Sequence, residues 1–356
     1  MTFVVKQKKN SDHIYHFNSL ILIWFDKNKR NLPWRAQSDP YKIWLSEIIL
    51  QQTRVAQGTD YYLKFTQQFP SIQDLATASE QEVLRLWQGL GYYSRARNLH
   101  FTAKWITQEF HGVFPSTFKD LIKLKGVGDY TAAAIASIAF HEAVPAIDGN
   151  AFRVFARYFN IDLDISIPKT KKYFFELGKE IIDPDRPGDF NQAVMELGAT
   201  ICLPKNPKCE ICPVNESCEG LARKTVDQLP VKSKKVKVTH RFFHFLEITD
   251  GKNYLMVKRV KKDVWLNLFT FPMIETSDTE LLISDAELSE IPFQKTHEMR
   301  HLLTHQRLHI FFWRAKINQK QFISLSNSLK TEIYRAEDLN ELPLPKPMEK
   351  YLDLKI

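Results

Sequence analysis

Apolar residues recur every three or four positions from Asn18 to about Phe159, which is the period of amphipathic helices. The pattern is divided at Pro33, Pro40, Pro70, Gly112, Pro115 and Pro145. A series of separate helices is therefore predicted, because proline and glycine interrupt helices. After His240 the pattern changes to short aromatic and β-branched runs between polar turns: "RFFHFLEI", "NYLMVKRV", "LFTFPMI" and "LHIFFWRAKI". These runs predict the strands of an α/β domain, with one helical stretch near Leu281 to Leu288.

The chain length of 356 residues suits two or three domains, since one domain takes roughly 150 residues. The stretch "KTVDQLPVKSKKVKVTH" is polar and basic, as interdomain linkers often are. We therefore expect a helical core in residues 1–222, a basic linker in 223–239 and the α/β domain in 240–356.

Composition places the chain among folded globular proteins, with 44% hydrophobic and 25% charged residues. The first ten residues, "MTFVVKQKKN", lack the apolar region of a signal peptide, and the run from Leu20 to Phe25 is too short to cross a bilayer. We expect a cytoplasmic monomer without a membrane partner, associated with the nucleoid if the source is bacterial. The net charge of +8 favours a polyanionic partner such as nucleic acid, although many basic proteins bind none.

All four cysteines fall within "CLPKNPKCEICPVNESC", with the spacing C-x6-C-x2-C-x5-C. In a reducing compartment such clustering indicates a metal or cluster site rather than disulfides. Four thiolates this close can enclose one [4Fe–4S] cluster or one zinc ion, and the spacing alone does not separate the two. The candidate ligands are Cys202, Cys209, Cys212 and Cys218.

Two glycines interrupt a helical pattern in "LKGVGDYTAAAIA". The flanking segments "FKDLIKL" and "YTAAAIASIAF" are predicted helices, so Gly126, Val127 and Gly128 form the connector. A helix that begins at such a turn presents free N–H groups that bind anions, and a DNA phosphate is a natural occupant. A tight turn that needs glycine only for steric reasons would leave the same pattern.

Cleavage of an N-glycosidic bond requires an acid for the leaving base and a carboxylate for the oxocarbenium-like sugar. Glu47 is flanked at helical spacing by Ile43 and Ile48, so apolar surroundings are expected to raise its pKa. Asp148 follows the apolar stretch "AVPAI", where it or Asn150 would also serve as a helix N-cap. A glutamate on a helix surface and a simple cap are the ordinary alternatives for these positions.

Seven segments together resemble the adenine-specific mismatch DNA glycosylases of the MutY type, in the endonuclease III or helix-hairpin-helix superfamily. They are "LPWR", "PYKIWLSEIILQQTRV", "LWQGLGYYSRARNL", the "LKGVGDYTA" hairpin, "AIDGN", "FNQAVMELGATIC" and the cysteine loop, in family order. The resemblance covers most of the first 220 residues. It implies a mainly α glycosylase core, with a helix-hairpin-helix lobe at about 34–145 and a cluster-bearing lobe formed by the N-terminus and 146–222. It also implies one [4Fe–4S] cluster on the four cysteines.

The implied reaction is hydrolysis of adenine from double-stranded DNA where adenine lies opposite 8-oxoguanine or guanine, leaving an abasic site. By resemblance Glu47 would protonate the flipped adenine and Asp148 would stabilise the C1′ cation, with Asn150 and Tyr130 supporting Asp148 through hydrogen bonds. Gln52 and Tyr92 would insert near the opposing base. The implied DNA contacts are Gln51, Gln52, Thr53, Tyr92, Gly126, Val127, Gly128, Thr304 and His305. Ordinary helix packing and polar surface are the alternatives for the glutamines and Tyr92.

Tyr130 stands where strand-cleaving members of the superfamily carry a lysine, two residues after the second glycine. That lysine forms a Schiff base with the sugar, and a phenol cannot. The resemblance therefore implies base removal without strand cleavage. Lys125 lies on the other arm of the hairpin, and an endonuclease III-like pyrimidine glycosylase with lyase activity remains the alternative.

The segment "RFFHFLEITDGKNYLMVKRVKKDVWLNLFTFPMIE" resembles the start of the MutT-like, Nudix-related domain with which these glycosylases inspect 8-oxoguanine. The closely spaced glutamates of a Nudix hydrolase are missing, so nucleotide pyrophosphatase activity is not expected. In "HLLTH", Leu303 and Thr304 replace the phenylalanine and serine that usually contact the oxidised guanine.

Two further function classes fit parts of the sequence. "HEMRH", from His297 to His301, matches the H-E-x-x-H motif of zinc proteases, but it passes into a strand-like run and lacks a long amphipathic helix around it. A lesion-binding protein without catalysis would need neither Glu47 nor Asp148.

Overall fold

The computed structural model describes residues 11–35, 37–233 and 237–354, and side chains from residue 16 onward. The N-terminal "MTFVVKQKKN" and positions 234–236 of the predicted linker lie outside the described residues. The chain divides into two compact units, Met1–Ala76 with Phe101–Lys234, and Thr77–His100 with Lys235–Ile356. In the part of the chain that is described, no helix is both long and apolar enough to span a bilayer.

The described residues between 11 and 222 fold mainly into helices, as the period of their apolar residues predicts. They are α1 (Ser11–Asn28), α2 (Pro40–Leu50), α3 (Val55–Gln68), α4 (Ile72–Thr77), α5 (Glu80–Leu86), α6 (Ser94–Phe110), α7 (Phe118–Leu121), α8 (Asp129–Phe140), α9 (Gly149–Tyr158), α10 (Pro168–Ile181), α11 (Pro187–Thr200) and α12 (Glu219–Ala222). Proline occupies the first turn of α2, α10 and α11, where its missing N–H leaves no hydrogen bond unmade.

A core of aromatic side chains joins α1, α9 and α11. The Phe17 ring lies 4.6 Å from that of Tyr158, 6.1 Å from that of Phe155 and 6.2 Å from that of Phe190, measured between centroids. Gly198 of α11 lies so close to α9 that an added Cβ would sit 2.5 Å from the Cβ of Asn150. This close packing fixes where α9 begins, and therefore where Asp148 and Asn150 lie.

The predicted hairpin forms, but its first arm is shorter than the sequence pattern suggests. Helix α7 ends at Leu121, and turns lead from there to Gly126, whose φ of 82° is in the region that favours glycine. Gly128 is the N-cap of α8 with a φ of –99°, and a Cβ built there would meet nothing within 4 Å. The second glycine is therefore not required by packing within the chain, and the space beside it is open to a ligand.

The C-terminal residues form the predicted sheet. Its strands are β1 (Thr239–Thr249), β2 (Asn253–Lys258), β3 (Phe269–Thr270), β4 (Met273–Thr276), β5 (Gln294–Leu302), β6 (Gln306–Lys316) and β7 (Glu332–Arg335). The order is β3-β2-β1-β6-β5, with β4 also paired to β1 and β7 to β2. The long β1 and β6 are parallel, in register from Thr239 with Gln306 to Thr249 with Lys316, and the other pairs are antiparallel.

The α-helices described with the sheet are α13 (Ala286–Ser289), α14 (Gln319–Ser328) and α15 (Lys346–Asp353). The helix expected near Leu281 to Leu288 is thus α13, which begins later because the Asp285 side chain caps it, accepting from the N–H groups of Glu287 and Leu288.

Thr77–His100 clusters with the C-terminal residues, although its sequence continues the helical pattern of the core. The Tyr93 hydroxyl donates to the carbonyl of Leu344 at 3.2 Å, and Arg97 donates to the carbonyl of Leu266 at 2.9 Å. The predicted boundaries at 222 and 239 stay a prediction.

Candidate active site and cluster loop

Two cavities of the first unit meet at the candidate catalytic residues. One is a cleft of about 920 Å³ and the other a smaller cavity of about 210 Å³. The residues shared by both walls are Glu47, Leu50, Tyr130 and Asp148. The fold thus brings together one residue from the end of α2, one from the start of α8 and one from the start of α9, as the sequence analysis anticipates for a single site.

Glu47 is buried on an apolar helix, with Ile43 and Ile48 also buried on α2. Desolvation raises the pKa of Glu47 to about 7, and the charge of Asp148 adds to the increase. The Tyr130 hydroxyl and the charge of Arg35 act in the opposite direction. Near neutral pH this carboxyl group is therefore protonated in a large fraction of molecules, as a general acid requires.

Asp148 caps α9, as expected. Its Oδ1 accepts from the Ala151 N–H and its Oδ2 accepts from Asn150 Nδ2, both at 2.7 Å. The pKa of Asp148 is raised above its ordinary value by burial, and these hydrogen bonds oppose the increase. Arg153 holds Asn150 in turn, because its Nη2 donates to Asn150 Oδ1 at 2.8 Å. Asn150 therefore makes the hydrogen bond to Asp148 that the resemblance implies, while its role in catalysis stays a prediction.

Tyr130 does not make the contact expected of it. Its hydroxyl donates to Met195 Sδ at 3.0 Å and lies within hydrogen-bonding reach of Glu47, and no hydrogen bond joins it to Asp148 among the described residues. Burial and the charges of Glu47 and Asp148 hold the pKa of Tyr130 well above its ordinary value. The phenol thus stays neutral and lies beside Glu47 rather than bonded to Asp148, because α8 directs it toward α2 and α11.

A buried ion-pair cluster in the smaller cavity was not assigned from the sequence. Glu196 of α11 accepts from Arg30 Nε at 2.5 Å, from Arg30 Nη2 at 2.8 Å and from Arg35 Nη2 at 2.6 Å. Burial works to raise the pKa of Glu196, but hydrogen bonds from the two guanidinium groups outweigh it and lower the pKa. Arg35 stands in "LPWR" and Glu196 in "FNQAVMELGATIC". Both segments carry the family resemblance, but the sequence does not indicate that the two side chains pair.

The cleft also contains two lysines that the sequence left unassigned, Lys171 and Lys172 in the first turns of α10. They add positive charge to a wall that includes the open backbone at Gly128. A run of lysines at the start of a helix was visible in "PKTKKYFF", but nothing in the sequence placed it beside Glu47.

The residues predicted to bind DNA are distributed over both units. Gln51, Gln52 and Gly128 line the cleft, and Thr53 lines the smaller cavity. Gln52 has a φ of 56°, and Gln51 Nε2 donates to Thr131 Oγ1 at 3.2 Å. Val127 is buried, which leaves its backbone as the available contact.

In the second unit, Tyr92 is 46% exposed with a φ of 48°. Its hydroxyl shares a hydrogen bond with the hydroxyl of Thr304, and the next residue, His305, is exposed in the turn before β6. Two residues that lie far apart in sequence and were both expected to contact the opposing base are therefore neighbours.

The "HEMRH" motif lies in strand β5 and not in a helix. Along a strand His297 and His301 are about 13 Å apart, at 3.3 Å per residue, so they cannot share one metal ion. Glu298 is exposed and paired with Lys295. The zinc protease alternative is therefore wrong for this segment.

The four cysteines line one cavity at the end of α11 and the start of α12. Four cysteine thiolates around one cavity are the ligand set that a [4Fe–4S] cluster takes. Arg157 of α9 donates to Cys202 Sγ at 3.4 Å and to the carbonyl of Leu203 at 2.7 Å. Gly220 lets α12 approach, since a Cβ there would lie 2.4 Å from the carbonyl oxygen of Arg157.

Comparison with known proteins agrees with this architecture. Residues 45–184 match the HhH-GPD superfamily of base excision DNA repair proteins, residues 202–218 the iron–sulfur binding domain of endonuclease III, and residues 243–354 a NUDIX domain. An adenine DNA glycosylase of Buchnera aphidicola subsp. Schizaphis graminum is 37% identical over 345 residues, which cover 96% of this chain and 99% of that protein. The chain belongs to the adenine DNA glycosylase family.

Other similar proteins support this family membership and the fold of the core. A Mus musculus adenine DNA glycosylase is 47% identical over 222 residues, which cover 60% of this chain and 43% of that protein. A thermostable thymine-DNA glycosylase structure aligns with a TM-score of 0.55 and 30% identity, over 60% of this chain and 98% of that one. An endonuclease III–DNA complex aligns with a TM-score of 0.52 and 19% identity, over 61% of this chain and 98% of that one, which shows a shared core fold.

As a member of the adenine DNA glycosylase family, the protein is a DNA glycosylase of base excision repair that hydrolyses N-glycosyl bonds. The predicted fold class is confirmed: a helix-hairpin-helix core with a cluster loop, followed by a Nudix-related domain. The predicted cofactor, one [4Fe–4S] cluster, is confirmed at the same level. The roles of individual site residues stay predictions.

Proposed function

We propose that this protein removes adenine from double-stranded DNA where adenine lies opposite 8-oxoguanine or guanine, and that it leaves an abasic site. The names of its relatives support adenine as the base. The observation that carries the chemistry is the pairing of Glu47, whose pKa is about 7, with Asp148 in the wall they share between two cavities. One acid and one neighbouring carboxylate are what N-glycosidic hydrolysis needs.

Glu47 is the proposed general acid. Adenine is a poor leaving group until one of its ring nitrogens is protonated, and a positioned acid with a pKa near the working pH accelerates such a step by roughly 10² to 10⁴. The Tyr130 hydroxyl keeps the Glu47 carboxyl oriented, since it lies within hydrogen-bonding reach of it.

Asp148 is the proposed stabiliser of the sugar cation that forms as the bond to adenine breaks. Its hydrogen bonds from Asn150 and from the Ala151 N–H hold the carboxylate in place. They also favour its ionised form, and so oppose the increase in pKa that burial produces.

The smaller cavity is the proposed pocket for the flipped adenine. Its wall contains Glu196, a carboxylate fixed by Arg30 and Arg35, and the apolar Trp34 and Leu32. The exocyclic amine of adenine is a hydrogen-bond donor, and a buried carboxylate acceptor would favour it over the carbonyl that other bases present there.

The cleft is the proposed path of the DNA backbone, with Gly128 at the phosphate and Lys171 and Lys172 as further cations. In the second unit, we assign Tyr92 and Thr304 to contact the opposing base, and their shared hydrogen bond supports a joint role. The product is an abasic site without a strand break, because Tyr130 cannot form an imine.

The four thiolates would hold the cluster, whose contribution is structural because all four ligands come from the protein and no position is left for a substrate. Lys205 and Lys208 lie in the same loop and would contact phosphate.

The test is base excision on matched duplexes that carry adenine opposite 8-oxoguanine, adenine opposite guanine, or an oxidised thymine, each with and without alkali. We expect adenine release with strand breaks only after alkali. Strand breaks without alkali at the oxidised thymine would favour the endonuclease III alternative.

Glu47→Gln should reduce single-turnover excision by roughly 10² to 10⁴, because the amide cannot donate a proton to the base. Binding to the same duplex should change little, since the amide keeps the shape of the side chain. Glu109→Gln, at an exposed position of α6, is the matched control. Excision at the wild-type rate by Glu47→Gln would contradict the assignment.

A further inference from the structure

A third cavity lies directly behind the proposed adenine pocket. It has a volume of about 270 Å³ and is lined by Phe25, Lys29, Arg30, Asn31, Arg35, Asp189 and Gln192. Three of these residues, Arg30, Arg35 and Gln192, also line the adenine pocket. The two cavities are therefore separated by a wall that is a single layer of side chains. Lys29 and Asn31 are exposed, so the third cavity opens to solvent.

The polar part of this wall is the Arg30–Glu196–Arg35 cluster. Glu196 is almost completely buried, with 1% of its side chain exposed, and Arg35 is 13% exposed. Arg30, in contrast, is 39% exposed although it makes two hydrogen bonds to Glu196. The cluster therefore has two fixed members and one member at the surface.

Arg30 can leave this wall at a modest free-energy cost. A buried carboxylate that loses all its partners is strongly destabilised, but Glu196 would keep the Arg35 guanidinium at 2.6 Å. The freed Arg30 side chain would be solvated, since it is already partly in water. A swing of this one side chain would remove one of the three residues that line both cavities and would join the pocket to the third cavity by a path.

We propose that this path is the exit for the excised adenine, with Arg30 as its gate. The inference rests on the proposed function, which places adenine in the smaller cavity. Bound abasic DNA would occupy the cleft and close the way by which the base entered. The third cavity reaches solvent through residues that do not line the cleft, so adenine can leave while the DNA product is still bound.

The experiment follows three quantities in one single-turnover reaction on DNA labelled in the target adenine. Quenched samples treated with alkali report abasic-site formation. Rapid filtration through nitrocellulose, which retains protein with everything bound to it, reports adenine free in solution. A chase with unlabelled duplex reports dissociation of the DNA product.

The decisive variant is Asn31→Trp, with Asn31→Tyr as a second and smaller plug. Asn31 lines the third cavity but not the adenine pocket, so a large side chain there fills the exit and leaves the chemistry untouched. Lys27→Trp, on an exposed position that lines neither cavity, is the matched control.

In the wild type and in Lys27→Trp, free adenine should appear together with abasic sites. Both plug variants should delay free adenine by about tenfold or more, with unchanged abasic-site formation and unchanged DNA dissociation. Free adenine that appears without delay in both plug variants would overturn the exit. The exit would also be overturned if the adenine excised by the wild type stays on the filter until the DNA leaves. Missing abasic sites in the wild type would instead contradict the proposed function itself.

Discussion

Glu47 and Asp148 lie at one site and differ in their immediate hydrogen-bonding partners. Both carboxyl groups are buried, so desolvation raises both pKa values. Asp148 receives two hydrogen bonds of 2.7 Å that favour its charged form, whereas Glu47 has Tyr130 as its hydrogen-bonding partner. At residue scale the two groups therefore share the effect of burial on the pKa and differ in their hydrogen-bond donors.

The pH dependence of excision should report the Glu47 proton. Because the pKa of Glu47 is about 7, the protonated fraction is large below that pH and falls tenfold per pH unit well above it. We expect single-turnover rates on adenine opposite 8-oxoguanine to decline through a midpoint near pH 7. A rate that stays constant from pH 6 to pH 9 would argue against Glu47 as the proton donor.

The same pKa has a consequence for stability. The pKa of this carboxyl rises from 4.5 in the unfolded chain to about 7 in the folded protein. Its contribution to the free energy of unfolding is fully present below pH 4.5 and is lost as the pH rises through 7. At pH 8 the ionised form costs about 3 kcal/mol, at 1.36 kcal/mol per pKa unit.

Glu47→Gln avoids this cost, because the amide has no charge to bury. The variant should unfold at a higher temperature than the wild type at pH 8, and the difference should shrink toward pH 5. Glu109→Gln, at its exposed position, should show no such pH-dependent gain. Equal unfolding temperatures for wild type and Glu47→Gln at pH 8 would show that Glu47 is not held in an apolar site.

At the scale of elements, helix α10 supplies a prediction about DNA affinity. Lys171 and Lys172 line the cleft, and each phosphate contact contributes about 0.9 to the slope of log affinity against log salt concentration. Replacing both with alanine should lower that slope by up to about 2 and weaken binding equally for matched and mismatched duplexes.

Lys179→Ala is the control for this measurement, because Lys179 stands in the last turn of the same helix and pairs with Glu176. The affinity should be followed by fluorescence anisotropy over a range of salt concentrations with Glu47→Gln protein, so that no product forms. A double lysine variant with an unchanged slope would remove α10 from the DNA path.

The helices that carry the site could be predicted from the sequence, because the patterns that indicate them involve only neighbouring residues. An acid among isoleucines on α2 and an aspartate before a glycine at the start of α9 need only their neighbours to be interpreted. The pairing of Arg30 and Arg35 with Glu196 was not visible, since 166 and 161 positions separate the partners. Only the packing of α11 against the start of the chain brings them together.

The association of Thr77–His100 with the C-terminal residues was hidden for another reason. Tyr93 and Arg97 donate to the backbone carbonyls of Leu344 and Leu266. Every residue has a carbonyl, so such contacts leave no complementary pattern of side chains in the sequence. The resemblance likewise implied a hydrogen bond from Tyr130 to Asp148, whereas the hydroxyl lies within hydrogen-bonding reach of Glu47.

At the scale of the whole molecule, the cluster loop is part of the core of the first unit. Cys202, Cys212 and Cys218 pack against the same buried group as α1, α9 and α11. A cluster bound by these thiolates contributes its binding free energy to the folding of this unit.

Cys212→Ser should therefore lower the iron content and shift the thermal unfolding of the first unit to lower temperature. Glu216→Gln, in the same loop but not a ligand, should behave as the wild type in both measurements. Full iron content in Cys212→Ser would contradict the ligand assignment.

Helix α9 connects the candidate active site with the cysteine loop, and this connection matters for the interpretation of genetic variation in this protein. Asp148 caps its first turn, Arg153 donates to the carbonyl of Cys202 from its middle, and Arg157 reaches the cysteine loop from its last turn. The ten residues of α9 span roughly 15 Å, so a single helix connects the candidate active site with the cysteine loop. A survey of mutations that raise the spontaneous mutation rate would identify positions along the full length of this helix. Positions such as Arg157 would then be mistaken for catalytic groups, although Arg157 contacts the cysteine loop.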